Sequence, residues 1–348
     1  MKKISVIIAF LFLLAGGPGG AAQASCEEEK VNVIFDTDMG NDVDDALALD
    51  MLYKYLELKK ADLLGIMISK NNRFAAEFTD IMASWYGHTD IPVGIVKNGT
   101  DDELEAVNYA QIVSEMQENG APVFERFGNS YELLPEASKL YRKILSTQPD
   151  HSVTIISVGF FTNLAQLLET DADEFSDLNG KDLVTKKVKY LTVMAGSFGK
   201  NAIASYNVRK DIQSAAKVFS EWPTRIVASP AEVGIKIRYP ASSIMNDFNW
   251  TKLHPMVEAY KVYLPMPYDR PTWDLTNLLY AIDNSYSYLE ESAPGTIIVD
   301  EQGYTHFHSV TDGKHCYLSV SGDKVDVIRD YFVNLIRQKP LKYKQDNE

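Results

Sequence analysis

Short β-branched runs alternate along this chain with longer segments in helical spacing, and that alternation restricts the fold to strand–helix–strand units around a mainly parallel sheet. Residues 31–35 read as a first buried strand that ends at Asp36. Apolar residues at Ala46, Leu49, Leu52 and Leu56 then recur at helical spacing over 45–59. The pattern returns as a strand at 63–68 with a helix at 74–87, and as a strand at 91–96 with a helix from 133 to about 146. A strand at 153–158 precedes a helix that Thr162 can cap. Further strands are predicted at 188–194 and 225–228, and a helix at 272–282. Near the end, 296–299 and 317–320 with a turn at Gly303 predict a terminal hairpin, followed by a helix over 325–337. The expected fold is α/β: an open, mainly parallel, Rossmann-like sheet flanked by helices, with a C-terminal hairpin and helix. No repeat or linker divides residues 25–348, which are expected to form a single domain. The polar stretch 98–130, punctuated by Gly99, Gly120 and Gly128, is the kind of insertion that forms a lid or rim.

The first 24 residues read differently. Lys2 and Lys3, an apolar run over 4–14 and the Ala22-Gln23-Ala24 site predict a cleaved signal peptide, and so a secreted or periplasmic protein. The run is too short to span a membrane. Cys26 opens a lipoprotein alternative, ranked second because Gln23 stands where a lipobox places an aliphatic residue. Cys26 would lie at the mature terminus, so no structural bridge to Cys316 is expected. With 34 basic against 48 acidic side chains the net charge is −14, which argues against a nucleic-acid partner and suits a protein holding a divalent cation.

Chemistry concentrates in one place. Asp36, Asp38, Asp42, Asp44 and Asp45 fall within ten residues, where the first strand hands over to a helix. Ligands of open α/β sheets bind outside the carboxyl ends of strands. Five carboxylates cannot all ionise side by side without a compensating cation, and hard oxygen donors select calcium or magnesium. Helix capping accounts for one or two of them, not five. An EF-hand fails, because its sixth and twelfth positions are Asn41 and Leu47. A haloacid-dehalogenase-type phosphatase fails at Gly40.

Asp36-Thr37-Asp38-Met39-Gly40, followed by Asp44-Asp45-Ala46-Leu47-Ala48-Leu49, resembles the D-T-D-P-G-x-D-D-A-x-A-L signature of the inosine–uridine-preferring nucleoside hydrolase family. Met39 replaces the proline, and two extra residues precede the paired aspartates. Residues 157–163 resemble the family's P-T-G-G-L-T-N turn; Val193-Met194-Ala195-Gly196 through Tyr206-Asn207 resembles its M-G-G…E-F-N segment; Trp273-Asp274 falls where it has H-D. The resemblance implies that Asp38, Asp45, Asp274 and the carbonyl of Val158 hold a calcium ion. It further implies that Asp38 takes the proton of the attacking water, and that Asp44, or Asp42 in competition, binds the ribose diol. Asn72, or Asn71, and Asn207 match its sugar-binding asparagines. A small-molecule nucleoside or ribosyl substrate is implied, with a homo-oligomer as a possible assembly.

Two positions break the pattern. Where the family has the histidine that serves as leaving-group acid this sequence has Trp273, which can stack on a base, or simply pack, but cannot protonate the base. The glutamate that clamps the sugar 5′-hydroxyl is Ser205, with Asn201 near enough to help. Tyr206, Tyr268 and Glu232 are further rim candidates. The expected activity is calcium-dependent hydrolysis of an N-glycosidic bond. Its rivals are hydrolysis of another glycoside and sugar binding without turnover.

Overall fold

Val33 and Phe35 pack into one hydrophobic cluster and Ile34 into another, so the first strand is covered on both faces. That is why it reads as an unbroken apolar run rather than an alternating one. A computed structural model describes residues 30–40, 42–100, 108–127, 131–284 and 287–344. The expected signal peptide over 1–24 and Cys26 lie outside the described residues, as do Asn41 and parts of the 98–130 insertion, Gly128 among them.

The main sheet is built from β1 (Val31–Thr37), β2 (Ala61–Ile68), β3 (Val93–Ile95), β4 (Val153–Ser157), β5 (Val188–Met194), β6 (Arg225–Ser229), β7 (Gly295–Val299), β8 (Thr305–Ser309) and β9 (His315–Ser319). Their spatial order is β8-β7-β9-β6-β5-β4-β1-β2-β3, with the short strand Glu290–Glu291 added on β9. From β9 to β3 every neighbouring pair is parallel. The chain runs outward from β1 through β2 and β3, then returns to the other side of β1 with β4. The order therefore reverses at β1/β4, the crevice where open α/β sheets take ligands.

Helices cover both faces. Those that position the site are α1 (Asp44–Glu57), α2 (Arg73–Tyr86), α3 (Ala137–Thr147), α4 (Thr162–Leu168), α5 (Tyr206–Lys210), α6 (Ala231–Lys236), α7 (Pro255–Tyr263) and α8 (Trp273–Asp283); α9 (Gly322–Ile336) closes the fold. Residues 44–55 of α1 are all buried, so this helix runs through the interior rather than along the surface.

Two elements differ from the sequence-based expectation. Helix α3 starts at Ala137, and Tyr131–Leu133 form a separate 3-10 turn. Pro135 disfavours helical geometry in the residue before it, which sets the later start. The C-terminal hairpin pairs β7 with β8 around Gly303, whereas β9 (the expected second arm) runs parallel to β6 inside the sheet.

Candidate active site

The aspartate-rich turn is shaped by a few local contacts. Gly40 adopts φ +108°, a conformation that favours glycine, and its N–H donates to Tyr109 Oη at 3.0 Å. Met39, fully buried in the family's proline position, lies with Sδ 3.1 Å from the same hydroxyl. Thr37 Oγ1 accepts from Met39 N at 3.1 Å and donates to Asp45 Oδ1, bracing the turn against α1.

Beneath it Ser69, just past β2, donates to Thr37 O at 3.1 Å and accepts from Phe160 N at 2.9 Å. The ends of β1, β2 and β4 are thus tied together. Gly159 sits in that knot, where an added Cβ would lie 2.3 Å from Ser69 Oγ and 2.4 Å from Asp38 N. Only glycine allows the two turns to approach this closely.

Above the knot is a cavity of about 310 Å³. Asp38, Asp42, Asp44, Asp45 and Asp274 line it, with Val158, Ser205, Asn207 and Trp273. Residues from opposite ends of the sequence meet there: Asp44 Oδ2 accepts from the backbone N–H of Asp274 at 3.1 Å. Asp44, Asp45 and Asp274 all have pKa values well above the usual carboxylate range, first because burial penalises their charge and then because neighbouring carboxylates repel it.

Asn207, at the start of α5, donates to Val158 O at 2.6 Å and to Met194 O at 3.2 Å, linking the ends of β4 and β5 at the cavity wall. Asp36 belongs to the scaffold. It accepts from Tyr141 Oη at 2.9 Å and Asn163 Nδ2 at 3.1 Å, and burial, only partly offset by these bonds, raises its pKa to about 7.

Not every expected sugar contact reaches the cavity. Asn72 caps α2, its side chain accepting from Phe74 N at 2.9 Å, and Asn71 Oδ1 accepts from Tyr131 Oη at 3.4 Å. Neither lines the cavity, nor does exposed Asn201. Ser205 lines it, but its Oγ accepts from Gly196 N at 2.9 Å. Tyr206 is on the wall. Tyr268 instead donates to Tyr260 O at 2.7 Å, and Glu232 accepts from Phe198 N at 2.7 Å to brace the loop after β5.

Sequence reasoning missed a group around Trp273. Arg270 donates from Nε to Asp42 Oδ1 at 2.7 Å and from Nη2 to Asp42 Oδ2, so Asp42 is engaged in a two-point ion pair. The same guanidinium lies 4.9 Å from the Tyr263 ring centroid and 5.2 Å from that of Trp273. Its position three residues before Trp273 was the available signal. Ile203 and Ile235, 50% and 44% exposed, complete an apolar mouth.

The histidines are all elsewhere: His88 stacks on Tyr53, His254 is buried beside Trp85, His306 pairs with Asp300, His315 accepts from Ile297 N, and His151 and His308 lie on the surface.

In kind, the carboxylates and the Val158 carbonyl suit a hard divalent cation, whose charge would relieve the repulsion among them. No three of the His, Cys, Asp or Glu side chains among the described residues are drawn into a closed ligand set. None of the helices among the described residues is long and apolar enough to cross a membrane.

The fold matches solved structures across nearly their whole length. An inosine-uridine preferring nucleoside hydrolase from Bacillus anthracis is 18% identical, with a TM-score of 0.65 over 88% of this chain and 99% of that one. A purine-preferring ribonucleoside hydrolase from Gardnerella vaginalis is 17% identical, with a TM-score of 0.65 over 88% and 98%. A type III effector protein complexed with adenosine diphosphate ribose is 14% identical, with a TM-score of 0.62 over 89% and 94%. A sequence search of curated proteins finds no match. The profile described as inosine-uridine preferring nucleoside hydrolase matches residues 33–331. The chain therefore belongs to the inosine-uridine preferring nucleoside hydrolase family, metal-dependent hydrolases that act on N-glycosyl bonds.

Proposed function

We propose that this protein hydrolyses the N-glycosidic bond of a ribonucleoside or a related ribosyl compound with the help of calcium. The observation that carries the reading is the convergence of Asp38, Asp44, Asp45 and Asp274 with the Val158 carbonyl on one cavity at the switch point of the sheet. Asp38, Asp45, Asp274 and the Val158 carbonyl would hold the cation, and calcium follows from hard, all-oxygen donors. When bound it supplies Lewis acidity and a fixed positive charge.

Asp38 takes the proton of the water that attacks the anomeric carbon. Asp44 accepts hydrogen bonds from the ribose diol, because Asp42 is engaged by Arg270. The surrounding carboxylates stabilise the positive charge of an oxocarbenium-like transition state. Trp273 offers its ring to the departing base; its indole N–H is committed to Ala231 O at 3.0 Å. The expected signal peptide places this activity outside the cytoplasm, where it would release base and sugar for uptake.

The test is a ribose-release assay over purine and pyrimidine nucleosides with and without chelator. Release that chelator abolishes and calcium restores supports the reading. Tight sugar binding without release from any nucleoside would replace it with a sugar-binding role. Ser205 favours a second substrate reading: with no carboxylate there to clamp a 5′-hydroxyl, the sugar's 5′ end can carry a phosphate. The effector of the same fold is complexed with adenosine diphosphate ribose, which has such a substituent. Release of ribose 5-phosphate from nucleotides, but not ribose from nucleosides, would select this second reading.

A further inference from the structure

We infer that Arg270 is the positioning residue for the leaving group: it withdraws Asp42 from the sugar and fixes the aromatic wall against which the base departs. This rests on the N-glycosidase reading and extends it to a residue that no part of the family signature covers.

The backbone of Arg270 is tied to its neighbours on both sides. It pairs antiparallel with Tyr239, and two residues later Thr272 N donates to Gly234 O at 3.2 Å and Ile237 O at 3.1 Å. From that base the side chain makes three contacts at once. Nε and Nη2 take both oxygens of Asp42, Nη2 also donates to Tyr263 Oη at 3.0 Å, and the guanidinium contacts the rings of Tyr263 and Trp273.

The Arg270 side chain is 16% exposed and that of Asp42 28%, so the pair is partly desolvated and stronger than a surface ion pair. A carboxylate clamped at two points is poorly placed to accept from a diol as well. Asp44, which accepts from the backbone N–H of Asp274 and is not held by a cationic fork, takes that task.

Trp273 cannot protonate a base, so its contribution depends on where its ring is held. Arg270 on the ring, Ala231 O on the indole N–H, and Gly234, where a Cβ would lie 2.5 Å from Trp273 Cδ1, hold it in one place. Lysine cannot reproduce this, having neither the fork nor the plane.

The experiment compares Arg270→Lys with wild type on two ribosides. One is the best ribonucleoside in the panel, in which the C1′–N bond breaks and its electron pair stays on the base. The other is p-nitrophenyl β-D-ribofuranoside, in which the C1′–O bond breaks and nitrophenolate leaves with the pair, needing neither a proton nor a base-shaped wall. Misplacing a contact by about 1 Å costs on the order of 10²-fold. The expected loss of kcat/KM is of that order on the nucleoside and at least ten times smaller on the nitrophenyl riboside, and it falls mainly in kcat.

Equal losses on both, or none on either, overturn the inference alone. A wild-type protein that cleaves neither riboside overturns the ribonucleoside reading and this inference with it. Should Arg270→Lys fail to fold, Tyr263→Phe removes only the hydroxyl that Arg270 donates to. It should show the same selective loss at smaller size, and equal losses there overturn the inference in the same way.

Discussion

Replacing Gly159 by alanine would set the two turns that carry the site against each other. The new Cβ would lie 2.3 Å from Ser69 Oγ, 2.4 Å from Asp38 N and 2.6 Å from Thr37 C, whereas real Cβ atoms essentially never come within 3.0 Å. Two of these three atoms are backbone, so no side-chain rotation relieves the clash. Asp38 must move by about 0.6 Å, or Gly159 and the neighbouring Val158 carbonyl must move away from it. Overpacking of this kind costs about 1–3 kcal/mol, or a Tm about 2–6 °C lower in a domain of this size. A displacement near half an ångström at the residue that takes the water's proton predicts a 10- to 100-fold loss of kcat/KM, on the order set by known misplacement effects. The assay pairs ribose release with thermal unfolding. Gly322→Ala serves as control, since nothing lies within 4 Å of a Cβ there. A Gly159→Ala protein with the wild-type Tm and kcat/KM would refute the claim that these turns touch and jointly position Asp38.

Other expectations follow from the same geometry. Chelator should abolish ribose release and lower the Tm, and added calcium should restore both, because a ligand bound only to the folded state stabilises it; activity unaffected by exhaustive chelation contradicts the metal reading. Gly234→Ala should push Trp273 out of place, since its Cβ would lie 2.5 Å from both Cα and Cδ1 of Trp273, and kcat/KM for ribose release should fall; an unchanged kcat/KM contradicts it. His254 is buried among Trp85, Phe248 and Trp250, and burial lowers its pKa to about 3. Unfolded chain therefore takes up the proton near pH 6.5 while folded protein does not, so this contribution to stability is full above about pH 6.5 and is lost as pH falls towards 3. Asp50 opposes it: burial raises its pKa to about 6, so its contribution is greatest at low pH and lost as pH rises through 6. In urea titrations His254→Phe should gain on wild type steadily from pH 6.5 to 4.5, and a constant difference would show that His254 does not stay neutral in the fold.

Much of this site was legible in the sequence, and the reason is physical. Strands buried on both faces leave unbroken apolar runs, so β1, β2, β4 and β5 announced themselves, and with them the strand ends where ligands bind. Carboxylates crowded into one turn are costly without a cation, so Asp38, Asp44 and Asp45 stood out, and the family resemblance added distant Asp274. Strand β8 did not stand out: Thr305–Ser309 is an edge strand with only one buried residue, and its composition reads as a polar turn. The capping of α2 by Asn72 is local, reaching only to Phe74 N, whereas the scaffold role of Asp36 is set by the fold around it, with partners far away in sequence at Tyr141 and Asn163. The Arg270–Asp42 pair joins residues 228 positions apart, and no local periodicity encodes such a contact.

Calorimetric titration of the metal-free protein with calcium, beside the Asp274→Asn protein, probes the cation site head-on. Wild type should bind one ion per chain, and Asp274→Asn, which keeps the shape of the side chain and removes its charge, should bind at least ten times more weakly. No binding to wild type, or equal binding to both proteins, would mean that the two ends of the chain do not share a metal at this cavity.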